Sequence, residues 1–404
     1  MLLIKKYGGS SVSTPEKILD IAKKLKSHAD EGHQLIVIVS AMGGTTNNLI
    51  KLSRRITQAP VQRELDMLLS SGERISMALM AMALHSLGCK AISFTGSQSG
   101  VLTNSSHNNA RIIDIKPTRV NEELAKRNIV IIAGFQGVDP QSKEITTLGR
   151  GGSDTTAVAM AAHFKADRCD ILTDVKGIYS IDPRTPATIP HHFEELDYQT
   201  ALDMTYWGAQ VLNYRSVELA QEFKVPVLVH LSSEEGRGTL VKSMEATSIH
   251  TVNHNPQIAL LSFHEKICMA DGLNAIHGSI LDGKLPAPQI IYQRKPSDFF
   301  LSTPQEIFYS LLASLIKWCK KNDMPEPHFS THFGTIALTG KNLVNSQIVF
   351  EASALLKQNQ ILPEGLITSP NTVSFIIEDS RAQHACQLLH KKFVESRDTT
   401  DRRP

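Results

Sequence analysis

Alternation between short apolar runs and amphipathic segments fills the first 240 residues or so, and it leaves few folds open to the chain. Gln34–Ser40 reads QLIVIVS and Ile129–Phe135 reads IVIIAGF. Runs this apolar and this rich in β-branched residues suit strands covered on both faces. Leu2–Tyr7, Lys90–Thr95, Arg168–Thr173 and Val225–His230 read as further strands, and Pro15–Lys26, Glu64–Leu87, Thr118–Arg127 and Thr155–Lys165 as helices. In Pro15–Lys26 the residues Ile18, Ile21, Ala22 and Leu25 share one helical face, with Thr14 placed to cap and proline at the first helical position. Strands alternating with helices predict an α/β fold, a three-layer sandwich around a mainly parallel sheet. Ligands of such sheets bind beyond the carboxyl ends of the strands, where the connecting loops gather.

At 404 residues the chain exceeds a single core. The texture changes over Lys242–Asn255: glycine loops thin out, and helices at Thr303–Lys320 and Ser346–Lys357 stand among shorter strands such as Thr335–Leu338 and Thr372–Ile377. This predicts an α/β domain over 1–244, an α+β region over 245–395 and a disordered tail over 396–404. With 42 Lys and Arg against 40 Asp and Glu, the formal charge is +2, and no nucleic-acid or membrane partner is expected. The five cysteines are scattered and never form a C-x-x-C pair, which argues against a disulfide framework or a zinc site and for a reducing cytoplasm. The start, MLLIKKYGG, is too short in apolar residues for a secretory signal, and no window is expected to span a membrane.

The P-loop pattern, the G-x-G-x-x-G fingerprint and the protein-kinase set are all missing from the sequence. Five polar loops remain in the α/β part: Lys5–Ser11, Ser40–Asn47, Ser71–Ser76, Leu148–Asp154 and Thr173–Arg184. Glycine-freed N–H groups, helix N-termini and basic side chains together suit a polyphosphate. Singly, each has a plainer reading: Lys6 as a solvated lysine, Ser153 and Asp154 as helix caps, Glu73 as a first-turn dipole partner, Arg184 as turn chemistry after Asp182-Pro183. Their recurrence in one alternating region favours a shared site. No metal-ligating cluster is expected, since His191 and His192 adjoin without ligand spacing.

Taken in order, KYGGSSV, VSAMGGTTNNL, LLSSGERIS, FTGSQSGVLT, VIIAGFQGV, TTLGRGGSDTTAVA and TDVKGIYSIDPR resemble the aspartokinases of the amino-acid kinase superfamily, over about residues 4–240. The resemblance implies the amino-acid kinase fold and ATP-dependent phosphorylation of the side-chain carboxylate of L-aspartate, the first step towards lysine, threonine and methionine. It implies Lys6 and Asp154 as the catalytic pair, with Lys6 on the phosphoryl oxygens and Asp154 holding Lys6. It implies that the N–H groups of Gly8, Gly9 and Ser10 cradle the phosphates. Arg150 would take the aspartate α-carboxylate and Glu73 its α-ammonium, with Ser40, Thr46, Gly152 and Ser153 lining the pocket. Thr173, Asp174, Tyr179 and Arg184 would hold the nucleotide. Magnesium would come with ATP, held through phosphate oxygens and water.

The chain departs from the family pattern in two places. A lysine that reaches the nucleotide is replaced by Gln210 in WGAQVL, which opens a second reading: a weakly active or non-catalytic paralogue acting as a binding subunit. A kinase for glutamate or acetylglutamate is disfavoured by SGERIS, LGRGGSDTT and the long C-terminal half. Beyond residue 245 the family carries paired ACT domains, expected here as two divergent units over about 249–325 and 330–395. The effector-contacting segment is barely recognisable around Ile290–Gln293, so these units are expected to serve assembly into a homodimer or higher oligomer, with little inhibition by lysine or threonine.

Overall fold

The structure is a computed structural model that describes every residue except 58–59, 235, 245–250, 284–286, 304, 342, 344–346 and 397–404. The tail expected over 396–404 therefore lies, apart from Ser396, outside the described residues. Two compact units are present. The first comprises Met1–Ile178, His192–Thr205 and Gln210–Glu245; the second comprises Tyr179–His191, Tyr206–Ala209 and Ala246–Pro404.

In the first unit the elements run β1 (Leu2–Tyr7), α1 (Pro15–Asp30), β2 (Gln34–Val39), α2 (Thr45–Ile56), α3 (Gln62–Leu69), α4 (Ser71–Ser86), β3 (Ala91–Phe94), β4 (Val101–Thr103), β5 (Ile112–Ile115), α5 (Thr118–Ala125), β6 (Ile129–Ala133), β7 (Gln136–Val138), β8 (Ile145–Thr147), α6 (Gly152–His163) and β9 (Cys169–Thr173). β10 (Glu195–Asp197), α7 (Tyr198–Tyr206, whose last residue falls in the second unit), α8 (Tyr214–Phe223), β11 (Val227–Leu231) and β12 (Gly238–Lys242) follow. Eight strands form one sheet in the order β10-β12-β11-β9-β1-β2-β6-β3, parallel except where β11 meets β12. The mainly parallel sheet matches the expectation from the apolar strands. Along β2, Leu35, Val37 and Val39 join Tyr7, Ile129 and Ile131 in a core sealed by Ile18, Ile21 and Leu25 of α1 and Met80 and Leu84 of α4. The alternate residues Ile36 and Ile38 are equally buried on the other face, where α6 lies against β1, β2 and β9.

Three local differences from the sequence reading have physical causes. Glu64–Leu87 reads as one helix but breaks at Ser70, whose carbonyl is taken by the buried Gln136 amide at 2.9 Å. The stretch Gln62–Ser86 is, among the described residues, long and apolar enough to cross a membrane by composition, yet Leu69, Met80, Ala83 and Leu84 are packed in the unit's interior, as in a core helix. A small four-stranded sheet, β5-β4-β7-β8, is built from segments of three or four residues too short to show periodicity.

The second unit contains β13 (Thr251–Ser262), α9 (Met269–Gly283), β14 (Gln289–Lys295), β15 (Asp298–Ser302), α10 (Gln305–Lys321), β16 (His328–Thr339), α11 (Ile348–Gln358), β17 (Gly365–Ser369), β18 (Thr372–Glu378) and α12 (Ala382–His390). Its strands form a single antiparallel sheet, β14-β15-β13-β16-β18-β17. β13 and β16 are twelve residues each and serve the whole sheet: Thr251–Asn255 pairs with Thr335–Thr339, and the second half of β13 lies between β15 and the start of β16. One core joins α11 and α12 to β16 and β18 through Ile336, Leu338, Phe375, Leu356 and Leu389; another joins α9 and α10 to Leu261, Phe299 and Leu301. Ile258, Leu260, Phe300 and Ile376 bury the opposite sheet face. Arg294 at the β14 edge bonds both Asp298 at 3.0 Å and Glu364, just before β17, at 2.7 Å, so the two sheet edges approach each other.

Candidate active site

Strands β9, β1, β2 and β6 are neighbours, with Tyr7 paired to both Leu172 and Val39, and Val39 to Ala133. Their carboxyl ends are level, so the segments beginning at Gly8, Ser40, Gly134 and Asp174 emerge side by side. Alternation along β1 sends two consecutive lysines to opposite faces. Lys5 meets Asp170 at 3.4 Å, and Arg168 meets the same carboxylate at 2.7 Å. Lys6 turns towards α6, where its Nζ lies 2.5 Å from Asp154 Oδ1, with the two residues 9% and 7% exposed. A buried lysine without a carboxylate would be strongly disfavoured, so the pairing explains how the strand tolerates it.

Helix α6 begins three residues earlier than its hydrophobic pattern indicates. Its N-cap is Gly151 in the left-handed region at φ 67°, and no side chain caps it. Ser153 and Asp154 therefore fall within the first turn, buried, instead of taking the capping role left open for them. Glycine is required at 151, because a Cβ there would also lie 2.2 Å from Asn213 Cβ. Asn213 caps α8 through Arg215 N–H at 3.0 Å, and its amide donates to the Arg150 carbonyl at 2.9 Å. Arg215 donates to the Leu148 carbonyl at 3.1 Å. The loop that presents Arg150 is thus fastened to the start of α8, while the Arg150 side chain is exposed.

Glu73, in the first turn of α4, is 3% exposed. Its Oε1 accepts the Ala41 N–H at 3.1 Å; its Oε2 is buried and, among the described residues, unpartnered. Burial pushes the carboxyl up to about 7, against the two backbone hydrogen bonds that favour its ionised form. Such an orphaned acceptor suits a cationic donor brought by a ligand. Ala41 also limits Gly9, where a Cβ would sit 2.7 Å from the Ala41 carbonyl, and the Gly9 carbonyl accepts the Gly43 N–H at 2.9 Å.

One expected donor is otherwise engaged. The Gly8 N–H bonds the Leu172 carbonyl at 3.1 Å, continuing the β1–β9 ladder, so it does not serve a phosphate cradle; Gly9 and Ser10 remain the loop's candidates. Ser40 receives the first position after β2, its N–H on the Tyr7 carbonyl at 3.1 Å, and is half-buried. Thr46 is half-buried in the first turn of α2. Ser153 packs where a Gly134 side chain would be, 2.9 Å from that position, and Gly152 fits against Leu148 and Phe135. Thr173 ends β9 and donates to Asp174 at 3.1 Å. Gln210 is exposed in the first unit. Tyr179 and Arg184 belong to the second unit, where Arg184 grips Asp182 through Nε at 3.0 Å and Nη2 at 2.8 Å.

The structure adds Asp66, fully buried on α3, which accepts Thr147 Oγ1 at 2.5 Å, lies 2.6 Å from His107 Nδ1 and accepts the Asn108 N–H at 3.1 Å. Burial holds its carboxyl above the usual range in spite of these bonds. An aspartate interrupting the apolar face of ELDMLL was the signal for it. Among the described residues no group of three or more His, Cys, Asp or Glu could hold a metal ion.

Residues 1–230 match the amino acid kinase family. Aspartokinase 2 of Bacillus subtilis is 36% identical over 404 residues, 98% of each chain. This chain belongs to the aspartokinases. The Mycolicibacterium smegmatis aspartokinase is 50% identical over a 243-residue segment that spans 60% of this chain and 57% of that protein. The crystal structure of E. coli aspartokinase III in complex with aspartate and ADP has the same fold, with a TM-score of 0.78 at 23% identity, covering 97% of this chain and all of that one.

Proposed function

We infer that the chain transfers the terminal phosphoryl group of ATP to the side-chain carboxylate of L-aspartate, and that the strand-end site carries the reaction. The observation that carries this reading is the buried Lys6–Asp154 pair at the carboxyl end of a central parallel strand. The acceptor carboxylate, with pKa near ~4, is ionised at neutral pH, so the site needs no general base. It needs alignment and positive charge on the transferring group. Lys6 supplies that charge, and Asp154 fixes its ammonium in one place. Gly9 and Ser10 offer N–H groups beside it.

Glu73 receives the aspartate ammonium on its orphaned oxygen, and Arg150 takes the α-carboxylate from the loop fastened by Asn213. Ser40, Thr46, Gly152 and Ser153 shape the space between. Thr173, Asp174, Tyr179 and Arg184 hold the nucleotide. Without an acidic cluster among the described residues, magnesium would ride on phosphate oxygens and water, with no protein cage. Residues 1–244 are read as the kinase domain and 245–395 as an ACT-like region that joins two or more copies. The unpaired cysteines Cys169, Cys319 and Cys386, all buried as thiols, support a reducing, cytoplasmic setting.

The test is acyl-phosphate trapping by hydroxylamine with Mg-ATP and aspartate. Hydroxamate is expected from the wild type and a loss of at least about 100-fold from Lys6→Ala, in line with removal of a group stabilising developing charge. A silent wild type would overturn the reading and restore the binding-subunit alternative suggested by Gln210.

A further inference from the structure

The segment Tyr179–His191 lies between two stretches of the first unit in sequence but belongs to the second. What ties it there is a closed hydrogen-bond chain around His390, the last residue of α12. His390 and Ser180 are both fully buried, and Ser180 Oγ lies 2.8 Å from His390 Nε2. Ser180 Oγ also accepts the His191 N–H at 3.0 Å, which leaves its own hydrogen available to Nε2. On the other side of the ring, Nδ1 lies 3.1 Å from Glu395 Oε1, which also accepts the Ile189 N–H at 2.9 Å. A neutral imidazole with its hydrogen on Nδ1 satisfies every member. Glu395 reaches back because α12 ends in a π-helical turn over Lys391–Glu395.

Serine, histidine and glutamate in this order have the connectivity of a nucleophile and its base, but the buried serine already holds a backbone N–H and has no access to a substrate. The arrangement holds a segment in place. Further ties point the same way: the Gln387 amide donates to the Pro186 carbonyl at 2.8 Å, Val252 N–H donates to the Ser180 carbonyl at 2.8 Å, and Ile181 is buried in the core of α11 and α12.

We propose that Ser180, His390 and Glu395 form a clasp by which the end of α12 sets the conformation of Tyr179–His191, and so positions Tyr179 and Arg184 for the nucleotide. The inference rests on the reading of Thr173–Arg184 as the nucleotide segment. These three are positioning residues. They make nucleotide affinity depend on the C-terminal helix while leaving aspartate recognition, which uses first-unit residues, untouched.

The experiment uses the full chain with Ser180→Ala, His390→Ala, His390→Asn and the Ser180→Ala/His390→Ala double variant, measuring KM for ATP, KM for aspartate, kcat, and ADP binding by calorimetry without aspartate, well below each melting temperature. Each alanine variant is expected to raise KM for ATP and Kd for ADP by about 5- to 10-fold, the effect of one lost buried hydrogen bond. The double variant should be no worse than His390→Ala, because both break one chain. His390→Asn, which keeps a donor for Glu395, should fall between. KM for aspartate and kcat should stay within about 2-fold, against the 5- to 10-fold of one lost bond. Unchanged ADP affinity, or equal rises in both KM values, would overturn the clasp. A wild type that makes no hydroxamate but binds ADP in a His390-dependent way would overturn the aspartate reading and leave the clasp standing.

Discussion

Glu73 is the residue where the physical chemistry makes the sharpest demand. Its folded pKa of about 7 lies above the ordinary glutamate value of 4.5, so the folded chain holds a proton that the unfolded chain has released. Its contribution to stability is therefore full below about pH 4.5 and is lost as the pH rises to about 7. Glu73→Gln is expected to raise stability at pH 8 by up to ~3 kcal/mol, measured by urea unfolding, and to leave stability at pH 4 unchanged. On the role proposed for Glu73, the same variant should raise KM for aspartate at least about 10-fold, since a charged partner for the ammonium would be lost. In the wild type, KM for aspartate should fall as the pH passes 7 and Glu73 ionises. Gln210→Lys, which adds a charge to an exposed position, is expected to lower KM for ATP by about 10-fold in steady-state kinetics. The resemblance of the motifs to aspartokinases singled out Glu73, Lys6 and Asp154 as candidates, and the fold shows them buried with the partners described above. It could not expose that Gly8 uses its N–H on β9, since that bond depends on which strand lies alongside.

At the scale of elements, the Arg150 loop is only as fixed as the helix start that holds it. Asn213 does two tasks, capping α8 and bonding the Arg150 carbonyl. Asn213→Ala should cost about 1–2 kcal/mol of stability and raise KM for aspartate. Asn213→Asp keeps the cap but cannot donate to the carbonyl, so it should recover the stability without recovering KM; melting curves beside kinetics separate the two. Long, strongly patterned elements such as β2, β6 and α1 were legible from apolar spacing. The four-stranded sheet was not, because strands of three or four residues are too short to carry a period. The start of α6 was missed for another reason. Glycine and serine read as loop, and the first turn becomes helical because Gly151 takes a left-handed cap and Asp154 meets Lys6.

For the whole molecule, a cut at residue 245, where the composition changes, would divide the second unit. A fragment of residues 1–244 would keep Tyr179–His191 but lose the core that buries Ile181 and the bonds to Ser180 and Ile189. It is expected to bind ADP at least about 10-fold more weakly than the full chain, as several buried contacts are lost together, and to be cleaved by protease within 179–191; calorimetry and mapping of the cleavage products check both. Sequence by itself determined the parallel sheet, because runs such as IVIIA cannot face water, and its ordered motifs from KYGGSSV to TDVKGIYSIDPR, through their resemblance to aspartokinases, supplied the candidate site residues. The tertiary structure alone decided which partners those groups take. Pairing Lys6 with Asp154, setting Glu73 on the Ala41 N–H, and handing Tyr179–His191 to the C-terminal unit all rest on contacts between residues remote in sequence, and only strand order and helix packing bring such residues within bonding distance.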